Sequence, residues 1–158
     1  MKANSENFLD ELRDFHCKTS TEAAIKAELL RFLDLHGERA FGVEIAGEGH
    51  ITSVARIENR QRTKILLVFG AKEGRWKMPD SHIETNPQQS ARGIAARALR
   101  NANFEGGELI SLSQREIEPY WNTPSHWHFE LFFAFVTDET NDLPRGARWF
   151  SLDDVPLD

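Results

Sequence analysis

One segment limits the possible folds more than any other. From Asn86 the chain reads N-P-Q-Q-S-A-R-G-I-A-A-R-A-L-R-N-A, and each local signal in it favours a helix. Asn86 is a residue type that caps helix N-termini, Pro87 is pre-set for the first helical position, and Gln89 stands where a capping-box side chain reaches back. Ala91, Ile94, Ala95, Ala98, Leu99 and Ala102 then recur at i, i+3, i+4, i+7, i+8 and i+11, which makes one apolar stripe. Strand-like runs stand on both sides. His50–Ile57 and Lys64–Phe69 come before it, joined by a polar turn at Asn59–Thr63. Glu108–Ile117, Trp127–Thr137 and the short Ala147–Leu152 come after, with Gly106–Gly107 closing the helical unit. The helix thus carries one apolar stripe and stands between strand-like runs.

Two further helices are expected ahead of this unit, at residues 5–17 and 20–36. In the second, Ser20 or Thr21 can cap, Ile25, Leu29, Leu30, Phe32 and Leu33 form the apolar side, and Gly37 stops the helix. About 36 residues seldom fold alone. The pair is therefore an N-terminal helical extension, residues 1–45, packed on a main domain at 46–158. Gly42 to Gly49, with three glycines, wraps onto the next element. The apolar stripe of the extension either covers the sheet or joins two subunits, so a homodimer stays open.

With 158 residues, 40% of them hydrophobic and 28% charged, the chain fits one globular domain with a core of its own. A net charge of −6 excludes a globally basic coat for long nucleic acid. The longest apolar run is six residues, Leu131 to Val136, far short of the roughly 20 that span a membrane. No signal-peptide core is present, and the single cysteine, Cys17, suits a reducing cytoplasm. The charge is uneven. Residues 55–77 carry seven basic side chains against Glu58 and Glu73, a net +5, whereas residues 105–158 carry three against eleven, a net −8. The positive block either draws in a phosphorylated small molecule or guards strand edges as a solvated hairpin.

The segment from Gly74 to Phe104, beginning G-R-W-K-M-P-D-S-H-I-E-T-N-P, resembles the Nudix box of the Nudix hydrolases (MutT-like). In that family a W-x-x-P-G-G-x-x-E-x-G loop leads into a helix bearing R-E-x-x-E-E-x-G. The likeness extends outward over roughly 110 residues. A strand pair precedes the box, a W-F-x-L-D-D-V-P tail runs from Trp149 to Pro156, and H-W-H-F-E lies where related bacterial members carry H-x-H-x-D. The resemblance implies a Nudix-type α/β/α sandwich with a mixed sheet, and cleavage of nucleoside diphosphates linked to another group. Hydroxide attack on a negative pyrophosphate needs divalent cations, and oxygen-seeking Mg²⁺ takes carboxylates stacked on one helix face.

The chain departs from the pattern where that chemistry resides. Pro79, Glu84 and Arg97 remain, but Asp80 and Ser81 replace the glycine pair and Pro87 replaces the usual acidic residue at the loop's end. No Asp or Glu occurs from Thr85 to Phe104 in any register; aligned on Arg97, the glutamate positions hold Ala98, Asn101 and Ala102. A helix with Arg92, Arg97 and Arg100 repels Mg²⁺, yet suits a phosphate that Arg binds bidentately. The expectation is a Nudix-superfamily module that binds a nucleotide derivative or phosphorylated small molecule with hydrolysis weak or lost, and with no confident cofactor. The alternative is a divergent pyrophosphohydrolase that holds Mg²⁺ or Mn²⁺ with carboxylates from outside the box.

The expected ligand contacts are Arg92, Arg100 and Asn101, with Tyr120 and Trp121 for stacking a base. Glu84 is the candidate catalytic carboxylate, or simply the ion-pair partner of Arg97, itself a structural or phosphate-binding residue. Core burial is the plainer reading for each aromatic residue; Trp76 anchors the box loop, and Tyr120–Trp121 is the pair best placed for exposure. His126, His128 and Glu130 alternate on one strand and face one way. They form a polar cleft wall or, joined by His82, a chelate for Zn²⁺ or another transition metal.

Overall fold

The computed structural model describes residues 2–42, 49–84, 86–100 and 102–156. Two helices come first, α1 (Lys2–Asp14) and α2 (Ser20–His36), followed by a 3₁₀ segment at Gly37–Phe41. Strands β1 (His50–Asn59), β2 (Lys64–Gly70), β3 (Arg75–Lys77) and β4 (Asp80–His82) lead to helix α3 (Pro87–Ala98). Strands β5 (Phe104–Ile117), β6 (His126–Thr137) and β7 (Ala147–Ser151) complete the chain, with a 3₁₀ turn at Leu152–Asp154. The sheet runs β3-β2-β1-β6-β5, with β4 paired to β1 and β7 to β2. β1 and β6 are parallel along His50↔His128 to Asn59↔Thr137, and the other pairings are antiparallel, so the sheet is mixed. This is the expected α/β architecture with its N-terminal helical extension.

Local chemistry explains the elements. Helix α2 spans the expected residues, but its cap is Thr19: Thr19 Oγ1 accepts from Glu22 N at 3.1 Å. Glu22 reaches back to accept from Lys18 N at 2.8 Å, so the two side chains satisfy neighbouring donors. Gly37, at φ 57°, ends the helix as expected. α1 lies three residues earlier than predicted. In α3 the expected cap is present, with Asn86 Oδ1 accepting from Gln89 N at 2.8 Å and Pro87 in the first turn. The β1–β2 turn is held by Asn59, whose Oδ1 accepts from Thr63 N and Lys64 N at 2.9 Å each. Gly106–Gly107 does not end a unit. Both glycines lie inside β5 at positive φ, 112° and 118°, where the register with β6 slips at a bulge.

Strand alternation sorts the sheet into two faces. One carries Ile51, Ser53, Ala55 and Ile57 of β1 with Phe129, Leu131, Phe133 and Phe135 of β6, all buried. Helix α3 lies on this face through Ala91, Ile94, Ala95 and Ala98, and Ser53 Oγ donates to the Pro87 carbonyl at 2.8 Å to seat its first turn. Phe8, Leu12, Leu29 and Leu33 of α1 and α2 join the same core, with the Phe32 ring tilted against Phe129 at 5.2 Å. The other face of β1 and β6 presents His50, Thr52, Val54 and Glu58 beside His128, Glu130 and Phe132. The domain boundary placed at residue 45 and most of the Gly42–Gly49 wrap fall outside the described residues.

Candidate functional site

The loop into α3 is bound to β1 from two directions. Ala55 N donates to the Pro79 carbonyl at 2.8 Å, and β4 pairs with β1 as Thr52↔His82 and Val54↔Asp80. The short strands β3 and β4 went unrecognised in the sequence. They turn the loop into a wall between two cavities. On one side lies a cavity of about 120 Å³ lined by Ser81, His82, Glu84, Gln89, Ser90, Gly93 and Arg97. Ser90 Oγ accepts from Glu84 N at 3.3 Å, and Arg97 lies back along the helix, 3.6 Å from the point where a Cβ on Gly93 would sit. Glu84 and Arg97 thus share one cavity, but the ion pair expected between them is not formed among the described residues.

On the other side is a cleft of about 380 Å³, bordered by Val54, Trp76, Met78, Asp80, Arg115, Glu130 and Phe132. Its charges are already matched. Glu130 accepts from Arg115 Nη2 at 2.8 Å and from Ser113 Oγ at 2.9 Å, and Lys77 Nζ bridges Glu73 at 2.7 Å and Asp80 at 3.0 Å. Burial works against the charge on Lys77, but the bonds to Glu73 and Asp80 prevail and raise its pKa. Trp76 anchors the wall as expected, edge-on to Phe69 at 5.5 Å and to Phe150 at 5.2 Å.

Between β1, β4 and β6 four histidines meet. The His50 ring lies 4.7 Å from that of His82, 5.1 Å from His126 and 4.3 Å from His128. Ring nitrogens of His50, His82 and His128 fall within 4.8 Å of one another. Burial, helped by neighbouring histidines, pushes His50 down to about 4 and His128 down to about 3; burial also lowers His82, with Asp80 opposing. Burial thus favours the uncharged form of all three imidazoles. His126 Nδ1 is 2.9 Å from the Pro124 carbonyl and its Nε2 is 3.0 Å from His128 Nε2. A carbonyl only accepts, so His126 donates through Nδ1, and one of the two rings donates to the other across the Nε2–Nε2 contact.

Four similarly placed atoms lack partners. Among the described residues, the buried side-chain polar atoms with no hydrogen bond are His50 Nδ1, His50 Nε2, Thr52 Oγ1 and Arg115 Nε. All belong to the same sheet face, since His50 pairs with His128, Thr52 with Glu130 and His82, and Arg115 with His128.

Several solved structures are similar to this chain in fold. The dihydroneopterin triphosphate pyrophosphohydrolase of E. coli aligns at TM-score 0.50 and 11% identity, over 65% of this chain and 80% of that one. The Ap4A hydrolase of C. elegans aligns at 0.49 and 13%, over 66% and 81%. The NUDIX domain of Shewanella oneidensis NrtR, complexed with ADP ribose, aligns at 0.46 and 16%, over 79% and 84%. No family model and no curated protein matches the chain. The chain has the Nudix fold. At these identities the likeness extends to the architecture alone.

Set on the Nudix fold, the loop and α3 occupy the place of the box, and their residues do not fit the divalent cation that the box implies. Among the described residues Glu84 is the one carboxylate lining the α3 cavity, and the Arg97 guanidinium lines it too. One carboxylate seldom holds Mg²⁺, and Arg97 opposes a cation there. The other expected ligand contacts are scattered. Arg92 donates to the Gly106 carbonyl and lies over the Phe104 and Phe135 rings at 5.8 Å; Arg100 pairs with Asp142 at 2.9 Å. Asn101 lies outside the described residues. Tyr120 and Trp121 are 53% and 86% exposed, so core burial, the plainer reading, is corrected for both. Their loop leaves β5 before β6 begins and carries its own Tyr120↔Thr123 bridge, which holds the rings off the sheet.

Of the expected chelate, His82 and His128 belong to the histidine group. Glu130 does not: it lies one step further along the strand face and is bound to Arg115 and Ser113. His126 contacts His128 from outside the three-nitrogen group. His50 was missed. No spacing rule links it to His128, because only the parallel register of two distant strands makes them neighbours.

Proposed function

We propose that this Nudix-fold chain belongs to the Nudix superfamily and binds a nucleotide derivative or other phosphorylated small molecule without Mg²⁺-dependent cleavage of pyrophosphate. One observation carries the reading: the α3 cavity is lined by Ser81, His82, Gln89, Ser90, Gly93 and Arg97 and, among the described residues, by one carboxylate, Glu84. Hydroxyls, an amide and a guanidinium are donors for phosphate oxygens, whereas a hydrolytic cation needs several acidic ligands. The adjoining cleft, walled by Trp76, Met78 and Phe132, has the volume of a small-ligand site and suits the organic part of such a molecule. A hydrolase assembled with carboxylates from outside the box has less support. Asp80 and Glu130, which line the adjoining cleft, are each tied to a cation of their own.

Titration calorimetry and thermal shift against ADP-ribose, diadenosine tetraphosphate and nucleotide sugars test the reading. Binding of at least one raises Tm, because a ligand that binds only the folded state stabilises it. Arg97→Ala weakens that binding about 10- to 100-fold, the loss of one or two charge-assisted hydrogen bonds. Failure of every phosphorylated compound to bind, or binding indifferent to Arg97→Ala, contradicts it.

A further inference from the structure

Beside the α3 cavity, the sheet face of β1 and β6 carries a second chemistry. We infer that His50, His82 and His128 form a binding site for a transition-metal ion of the Zn²⁺ class. Three strands bring the donors together: His50 opens β1, His128 sits beside it on β6, and His82 ends β4 opposite Thr52. Their ring nitrogens lie within 4.8 Å of one another. Tetrahedral Zn²⁺ with bonds of about 2.0–2.1 Å needs donors about 3.3 Å apart, a distance reached by small rotations of the rings.

A second, independent observation points to a ligand at this place. His50 is 3% exposed, and both of its ring nitrogens are without partners. A neutral imidazole always carries one N–H and one lone pair, so burying both unmatched costs free energy that a metal bond to the lone pair would offset. Thr52 Oγ1 and Arg115 Nε, the remaining unmatched buried atoms, border the same place from β1 and β5.

The donor type selects the ion. Neutral imidazole nitrogen suits Zn²⁺, Cu²⁺, Ni²⁺ or Co²⁺ and is a poor choice for Mg²⁺ or Ca²⁺, which take oxygen. His126, bonded to His128 at 3.0 Å and to the Pro124 carbonyl at 2.9 Å, fixes the His128 ring as an outer-shell partner does. His82 is the exposed member. Three protein ligands with the fourth direction open on its side leave room for water or an anionic group. His82 lines both this site and the α3 cavity, but Arg97 is no ligand of the metal, so loss of phosphate binding in Arg97→Ala and loss of metal binding in His50→Gln are separate failures.

The test uses the full chain without a histidine tag, stripped with a chelator and titrated with Co²⁺ and then Zn²⁺. The expected result is one equivalent of Co²⁺ with the visible absorption of a nitrogen-ligated tetrahedral ion, displaced by Zn²⁺, together with a rise in Tm. His50→Gln and His128→Gln each weaken binding at least tenfold. Because His50 is buried and His128 half-buried, His82→Asn at the exposed rim is measured alongside and also weakens it, with the circular dichroism spectrum unchanged. Absence of saturable Co²⁺ or Zn²⁺ binding, or binding unaltered by His82→Asn, overturns the assignment.

Discussion

Glu22 shows how much one side chain can decide. It is 7% exposed, and it accepts from Lys18 N at 2.8 Å in its own capping motif and from Leu112 N at 3.1 Å on β5. Burial alone would raise its pKa, but those N–H donors overcome it and hold the carboxyl below the ordinary 4.5. A depressed folded pKa means stability that is present above the unfolded value and lost as pH falls through the folded one. Glu22→Gln should therefore cost about 1–3 kcal/mol at pH 7, the usual loss for hydrogen bonds to a buried charge. In denaturant titrations the gap from the parent protein should be flat above about pH 6 and close as pH drops below 4.5. A gap independent of pH would show that packing, not charge, holds α2 to the sheet. Residues whose roles depend on near neighbours were legible in this way: Asn86, Gly37, Trp76. His50 was not, because its meaning comes from a strand 78 positions away.

At the scale of elements, α3 was the most readable piece, since cap, proline and stripe are all local and agree with the fold. The β5 bulge was the least. Gly106–Gly107 has the composition of a stop, and only pairing with β6 reveals it as a continuous strand with a slipped register. A Cβ on Gly106 would run into the carbonyl of Ala134 across the ladder, and its φ of 112° disfavours any other residue. Gly106→Ala should destabilise the protein by about 1–3 kcal/mol, read as a drop in denaturation midpoint without a change in slope. An unchanged midpoint would mean the bulge relaxes without cost. Strands β3 and β4, three residues each, are too short for any periodicity, yet they divide the two cavities.

For the whole molecule, the charge gradient resolves into internal pairing. Arg56 and Arg62 hold the buried Glu58, Arg60 meets Glu105 and Asp138, and Lys64 meets Glu139. Arg60 and Lys64 of the positive block thus pair with the acidic C-terminal third across the sheet, while Arg56 and Arg62 are matched within the block, in line with the strand-guarding reading. The stripe on α2 that could have joined two subunits is spent on its own sheet, with Leu29 and Leu33 buried. Among the described residues no helix is long and apolar enough to cross a membrane. The fold was legible because it follows from element order and box-like spacing; the composition of the site was legible only as missing acids, and its histidine centre needed the sheet assembled. The most direct measurement is phosphorus NMR of the protein with ADP-ribose, diadenosine tetraphosphate and nucleotide sugars in excess Mg²⁺ or Mn²⁺. The account predicts intact pyrophosphate signals over many hours, and steady cleavage that Glu84→Gln abolishes would contradict it.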